Sequence, residues 1–330
     1  MKMVVLGLES TAHTLGVGIV DSEGQIIAES KAVYTPQEGG IHPREAAEHH
    51  QARILGILED VFNQAGISVH QVKAIAFSQG PGLPPSLRVG AVIARCLSKS
   101  LNIPLLGVNH CVAHIEQARF FCQAEKPLVI YLSGGNTQIT TLAGHRYRIF
   151  GETLDIALGN MLDMFARAAN LAHPGGPKIE EIAKQTRNGY HTLPYTVKGM
   201  DLAFSGLLTA AKQLLEKGID LEDVCYSLQE TAFSMVAEVA ERALAHTQRK
   251  EMIVTGGVAA NARLKEMLQI VATEQSARFA AVPRKYAGDN GAMIAYNGLL
   301  LLNAKKTTPL SKSQIRPKWR LDQVEIKWGP

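Results

Sequence analysis

Leu128-Val129-Ile130-Tyr131-Leu132-Ser133-Gly134-Gly135-Asn136-Thr137-Gln138-Ile139-Thr140-Thr141-Leu142 is the stretch from which the fold can be read. The runs Leu128–Leu132 and Gln138–Leu142 are apolar and rich in β-branched residues, so they predict two strands joined by the tight turn Ser133–Thr137. A plain hairpin turn satisfies that pattern. Adjacent glycines also let a backbone approach phosphate oxygens closely and turn several N–H donors inward, as in an anion nest.

Downstream, Arg146–Phe150 reads as a third strand, followed by a helix from about Leu154 to Leu171. A helical insertion follows, with Ser205–Leu215 and Glu222–Thr247 as its clearest segments. The strand Met252–Thr255, helix Ala262–Thr273, strand Arg278–Val282 and helix Asn290–Asn303 complete the half. A second Gly-Gly turn, Thr255-Gly256-Gly257-Val258-Ala259-Ala260-Asn261, lies where a strand ends and a helix begins, a natural place for an adenosine.

Upstream the same order is already present. Val4–Glu9, Leu15–Val20 and Ile26–Val33 predict strands, Pro43 to about Ala65 a helix, and Val72–Ser78 a strand. A helix from about Ser86 to Leu101, a strand ending at Asn109 and a further helix follow. The two halves share element order without obvious sequence identity. A duplicated βββαβαβα unit is, by fold analogy, the α/β architecture of actin-like phosphate-binding proteins, in which two domains flank a nucleotide cleft. The expected boundaries are 1–126, joined by the C-terminal segment 305–330, and 127–304, with the helical insertion at about 155–248.

A chain of 330 residues exceeds one ordinary core and suits two domains. With 46% hydrophobic and 19% charged residues it has the composition of a globular protein, not of a disordered one. Its four cysteines, Cys96, Cys111, Cys122 and Cys225, form no CxxC pair and no disulfide framework, which suits a reducing, cytoplasmic compartment. Met3–Leu8 is too short for a signal peptide and no run approaches a membrane span, so no membrane partner is expected. A net charge of +4 permits an anionic partner without requiring one.

Asn109-His110-Cys111-Val112-Ala113-His114-Ile115-Glu116 carries the sharpest chemistry. Asn109 suits an N-cap, and His110 and His114 then fall one turn apart on one helical face. Two imidazoles so placed can share a metal ion, or each can be satisfied by neighbouring carbonyls. Asp289, in the loop before the last long helix, can add an oxygen ligand by reaching across the cleft, or cap that helix. Asp155 and Asp163 are expected on one helix, and Glu180 in the first turn of another opened by Gly175-Gly176-Pro177, where an acid also suits the helix dipole. Carboxylates there can accept ribose hydroxyls.

With these pieces in order, the chain resembles the tRNA threonylcarbamoyl transferase (TsaD) family in its archaeal and eukaryotic branch. The resemblance rests on GIHPREAAEHH at Gly40–His50, SQGPGL at Ser78–Leu83, NHCVAHIE at Asn109–Glu116 and YLSGGNTQ at Tyr131–Gln138. FGETLDIALGN at Phe150–Asn160, LPYTVKGMDLAFSGLL at Leu193–Leu208, GGVAANARL at Gly256–Leu264 and DNGAMIAY at Asp289–Tyr296 extend it almost end to end. It implies one divalent metal ion per subunit, iron(II) ahead of zinc(II), on His110, His114, Asp289 and Tyr131. It also implies an ATP- or AMP-containing substrate, with phosphate on the backbone of Ser133, Gly134, Gly135, Asn136 and Thr137. Asp163 and Glu180 would hold the ribose, Gly176 its edge and Asn261 the adenine.

Bacterial members read ETSCDE where this chain has Glu9-Ser10-Thr11-Ala12-His13-Thr14, so the candidate catalytic residues in that turn are Glu9 and His13. The implied reaction moves a threonylcarbamoyl group from its adenylate to the exocyclic amine of the adenosine 3′ of the anticodon, releasing AMP. The implied partners are tRNA and the subunits of a KEOPS assembly, namely a separate small protein kinase/ATPase and small dimerising and regulatory proteins. The separate kinase is expected because some archaeal relatives carry it fused at the C-terminus, whereas here the sequence ends shortly after Val324–Trp328.

Two other readings compete. A zincin-type metalloprotease requires HExxH, with a glutamate beside the first histidine; here Cys111 follows His110. A non-catalytic actin-like ATP switch needs the nucleotide turns but has no use for the histidine pair. The tail Lys305–Arg320 holds Lys305, Lys306, Lys312, Arg316, Lys318 and Arg320 and no acid, and suits either a tRNA-phosphate surface or a segment folded back with Trp319 as anchor.

Overall fold

The computed structural model describes residues 3–36 and 40–328. It divides into two compact units, Met1–Gln117 with Asp289–Pro330, and Ala118–Gly288.

The first unit is built on a sheet of β1 (Val4–Glu9), β2 (Thr14–Asp21), β3 (Ile26–Val33), β4 (Val72–Gly80) and β5 (Leu105–Asn109), in the order β3-β2-β1-β4-β5. The hairpin strands run antiparallel, while β4 and β5 run parallel to β1. Alternation sorts β1 onto two faces. Leu6 and Leu8 join Ile54, Ile57 and Val61 of α1 (Pro43–Ala65) and Ala91 and Ala94 of α2 (Pro84–Leu101) in one core. Val5, Ala74, Ala76 and Leu106 face the other way, against Met293, Ile294 and Leu299. The remaining helix between β5 and the second unit is α3 (His110–Cys122).

The second unit repeats the plan with β6 (Leu128–Leu132), β7 (Thr137–Ala143) and β8 (Arg146–Glu152), followed by α4 (Leu158–Ala168) and α5 (Gly175–Ala183). A two-stranded ribbon of β9 (Val197–Lys198) and β10 (Asp201–Leu202) precedes α6 (Ser205–Glu216) and α7 (Leu221–Thr247). β11 (Glu251–Thr255), α8 (Ala262–Glu274), β12 (Arg278–Ala281), the short α9 (Arg284–Ala287) and α10 (Gly291–Asn303) complete the elements. The sheet order, β12-β11-β6-β7-β8, mirrors that of the first unit. Val224, Leu228, Phe233, Val236 and Val239 make α7 the buried spine of this unit.

Two expectations change. α4 begins at Leu158, so Asp155 lies in the turn before it, where it accepts bonds from the backbone N–H groups of Ile156, Phe204 and Ser205 at 2.6, 2.9 and 2.9 Å. A carboxylate so saturated by donors ends a turn instead of continuing a helix. Glu180 is the sixth residue of α5, which begins at Gly175, and so stands in its second turn.

The last long helix also changes place. Chain order groups α10 with the second half; in the structure it packs on β1, β2 and β4 of the first unit. The reason is a close backbone approach. A Cβ added at Gly7 or Gly18 would lie 2.2 Å from Ala295 N or 2.4 Å from Ala292 N, so only glycine lets this apolar helix lie directly on the sheet. Asp289, one residue before the Asn290 cap of α10, thereby joins the unit that holds the histidines.

The tail is folded onto the first unit. Thr308 bonds to Leu105 O and receives Gly107 N–H, while Gln79 Nε2 donates to Lys312 O and Gln314 O. Leu321, Val324 and Ile326 are buried.

Candidate metal centre and nucleotide-binding turns

Asn109 ends β5 and caps α3, its side-chain oxygen accepting Val112 N–H at 3.1 Å. That cap sets the start of a helix whose first two turns carry His110 and His114, their rings 4.7 Å apart and nearly perpendicular. Asp289 Oδ1 lies 3.5 Å from His110 Nε2 and 3.0 Å from His114 Nε2. The helices behind these ligands are pinned together, for Gln117 and Asn290 exchange two amide hydrogen bonds of 3.1 Å. His110 and His114 are buried, and Asp289 is 16% exposed, so the site opens on the carboxylate side.

One ligand atom from each of His110, His114 and Asp289 lies within 4.8 Å of the others. Separations of roughly 3–3.5 Å are what ligands bound at about 2.1 Å to a common ion show. Two imidazoles and a carboxylate with an open side match the donor set of catalytic metal sites, and the residues fit the group. Tyr131, the fourth ligand expected, belongs to the other unit, where it is buried on β6 and its hydroxyl accepts from Asn136 Nδ2 at 3.5 Å.

Behind His110 stands Glu9. Its Oε2 is 2.9 Å from His110 Nδ1, and its Oε1 accepts the N–H and hydroxyl of Thr11 at 2.6 and 2.5 Å. Glu9 is fully buried at the end of β1. A carboxylate on Nδ1 fixes the tautomer and aims Nε2 at the site, as in carboxylate–histidine–metal arrangements. Nothing in the local sequence marks this pairing, because the residues are 101 positions apart.

The electrostatics follow from this packing. Burial alone would lower the His110 pKa, but the carboxylates of Glu9 and Asp289 outweigh it and raise it to about 9. Burial keeps His114 below the usual histidine range despite Asp289. Burial would raise Asp289, yet the two imidazoles hold it well below the carboxylate range. His13, in the turn between β1 and β2, is partly exposed.

The Gly-rich turns meet within the second unit. Ser133–Asn136 closes on itself through Ser133 N–H to Asn136 O at 2.8 Å and Asn136 N–H to Ser133 Oγ at 3.0 Å. Added Cβ atoms at Gly134 and Gly135 would meet nothing within 4 Å, so that side of the turn is open. The turn sits on the start of α4: Leu158 N–H donates to Thr137 Oγ1 at 2.8 Å, and a Cβ at Gly159 would lie 2.6 Å from Ser133 O. The second turn abuts the first, for a Cβ at Gly256 would lie 2.2 Å from Leu132 O. The dipole at a helix start of this kind favours an anion.

Asp163 accepts Gly175 N–H at 2.7 Å and fixes the start of α5, with Gly176 next in the chain. Glu180 Oε1 accepts Ala262 N–H at 2.8 Å, which joins α5 to the second turn. Asn261 caps α8 through Leu264 N–H at 3.1 Å and donates to Gln229 at 3.0 Å. Its side chain is therefore spent on shaping the turn, a role the sequence motif did not disclose. Among the described residues no helix is long and apolar enough to cross a membrane.

Comparison with known proteins gives concordant results. Residues 24–296 match the family model "TsaD: tRNA N6-adenosine threonylcarbamoyltransferase". Proteins named tRNA N6-adenosine threonylcarbamoyltransferase from Archaeoglobus fulgidus and Methanothrix thermoacetophila are 52% and 54% identical, with 99% of this chain and 100% of each relative aligned. A Methanocaldococcus jannaschii protein named "Probable bifunctional tRNA threonylcarbamoyladenosine biosynthesis protein" is 52% identical, and 60% of its length is covered. Among solved structures, T. kodakarensis HypF aligns with a TM-score of 0.63 at 18% identity, covering 93% of this chain and 48% of that one. The Clostridium difficile activator of 2-hydroxyisocaproyl-CoA dehydratase, solved with ADPNP, aligns at 0.53 and 13%, covering 91% and 94%. These distant likenesses place the chain in the actin-like fold.

Proposed function

Because the chain belongs to the tRNA N6-adenosine threonylcarbamoyltransferase family, we propose that it transfers the threonylcarbamoyl group of threonylcarbamoyl-adenylate to the exocyclic amine of the adenosine 3′ of the anticodon in tRNA. The amine nitrogen bonds to the carbamoyl carbon, the carbon–oxygen bond to AMP breaks, and the amine loses a proton. That amine is a weak nucleophile, because its lone pair is delocalised into the ring. The mixed anhydride supplies a good leaving group, so what remains for the protein is orientation and charge stabilisation.

The observation that carries this reading is the His110–His114–Asp289 group with Glu9 behind it. A divalent ion held there, iron(II) in preference to zinc(II), would supply Lewis-acid stabilisation worth several kcal/mol. Glu9 is assigned as a positioning residue, since it is buried and bonded to His110. His13, partly exposed in the turn between β1 and β2, is assigned as the proton acceptor.

The backbone of Ser133–Thr137 holds the AMP phosphate, with Tyr131 beneath it. Asp163, Gly176 and Glu180 line the ribose, and the turn shaped by Asn261 receives the adenine. The open faces of Gly134 and Gly135 and the helix starts around them support this part of the reading. In the cytoplasm the protein would act within a KEOPS-type assembly that includes a small protein kinase/ATPase; the relatives named bifunctional are consistent with a second activity beside this one.

The test is reconstitution with the partner proteins, tRNA, threonine, bicarbonate and ATP, followed by nucleoside analysis. Threonylcarbamoyladenosine should form with the wild type and fail to form with His114→Ala. Its absence from the complete wild-type mixture would overturn the proposal.

A further inference from the structure

The tail builds a second site in the first unit. Arg316, Pro317, Lys318, Trp319 and Gln323, with Pro84 at the start of α2, line an open pocket of about 500 Å³. Its floor is a stack, the Arg316 guanidinium lying 3.9 Å from the centre of the Trp319 ring. The backbone beneath is held: Arg316 N–H donates to Gln79 O at 2.7 Å, and a Cβ at Gly80 would lie 2.0 Å from Arg316 O. The backbone that carries the guanidinium is thus fixed before anything binds. Among the described residues neither Arg316 nor Lys318 forms an ion pair, whereas Arg320 is paired with Asp322 at 3.3 Å.

This pocket is tied to the metal centre. Gly82 N–H donates to Pro317 O at 3.1 Å, and Leu83 N–H to Thr11 O at 2.7 Å. Asn109, the cap of the histidine helix, donates to Trp319 O at 3.0 Å. A ligand in the pocket is therefore held by the same frame as His110.

We propose that this pocket takes one nucleotide of the tRNA anticodon loop, its base stacked on the Arg316–Trp319 pair between Pro84 and Pro317, and its phosphate against Lys318. A planar guanidinium already stacked on an indole offers a flat cationic surface that suits any nucleobase. Two cations without acidic partners supply complementarity to the adjoining phosphate. This inference rests on the tRNA-modifying reading above and assigns a second contact point for that substrate.

The test measures affinity of the assembled complex for an anticodon stem-loop at several salt concentrations, and the KM for tRNA, in wild type, Arg316→Gln, Lys318→Gln and the double variant. Arg316→Gln should weaken stem-loop binding about tenfold and raise KM with little change in kcat. Lys318→Gln should lower the slope of log affinity against log salt by roughly 0.7–0.9. Metal content and ATP affinity, measured in parallel, should match wild type and certify folding. Wild-type affinity, slope and KM in the double variant, with the wild-type complex active, would overturn the pocket and leave the transferase reading intact. Loss of a partner protein from the complex at unchanged stem-loop affinity would identify a protein occupant and overturn it equally. A wild-type complex that neither binds the stem-loop nor modifies tRNA would overturn both.

Discussion

Glu9 Oε2 lies 2.9 Å from His110 Nδ1, so the first strand of the chain dictates which nitrogen of a histidine on α3 faces Asp289. A second carboxylate contact of this type typically changes metal affinity 10–100-fold. Glu9→Gln should therefore weaken divalent-metal binding by about that factor while leaving the fold intact, since the amide keeps an oxygen for Thr11. Calorimetric metal titration decides it, and wild-type affinity in Glu9→Gln would refute the role.

The ligands themselves should be less forgiving. His110→Ala or His114→Ala removes one of two imidazoles from an already open site, so most of the bound metal should be lost and tRNA modification abolished. Elemental analysis of the purified variants is the measurement. Full metal occupancy in either one would remove the triad from consideration.

At the nucleotide turns, two glycines should behave differently. Gly135 faces open space, so Gly135→Val should fold normally yet obstruct phosphate approach and reduce ATP affinity at least tenfold. Gly159 meets Ser133 O at 2.6 Å, so Gly159→Ala should displace the turn and lower stability, by about 1–3 kcal/mol, as well as affinity. Calorimetry with ATP alongside chemical denaturation separates the two. Equal stability losses in both variants would contradict the packing described.

Asp155 provides a pH-dependent term. Burial would raise its pKa, but bonds from the Ser205 side chain and from the Phe204, Ser205 and Ile156 backbone outweigh this and hold it at about 2, against 3.8 for a free carboxyl. A carboxylate depressed on folding stabilises the protein above its unfolded pKa and loses that contribution as pH falls through the folded value. The stability gap between wild type and Asp155→Asn should therefore be full above pH 5 and shrink from about pH 3.8 to 2. Because the group is exposed, solvent screening keeps the effect modest. A gap that stays constant through this range, in denaturant titrations at matched pH, would disprove the linkage.

Much was legible in the sequence because it is locally encoded. Two apolar, β-branched runs around the Ser133–Thr137 turn specify a hairpin, and the Asn109 cap followed by His110 and His114 puts two imidazoles on one face. The repeated order of elements marks two similar halves, whose sheets the structure shows as β3-β2-β1-β4-β5 and β12-β11-β6-β7-β8. These features depend on neighbours within a few residues, where backbone period and capping chemistry act. What tertiary structure decided are meetings between distant segments. Asp289 reaches His114 across 175 positions because glycines on β1 and β2 let α10 lie flat on the first sheet. Glu9 orients His110, Glu180 holds Ala262 N–H, and the basic tail folds back along Gln79 instead of trailing in solvent. Such contacts follow from which surfaces fit together, and close packing leaves no periodic trace in the chain that makes it.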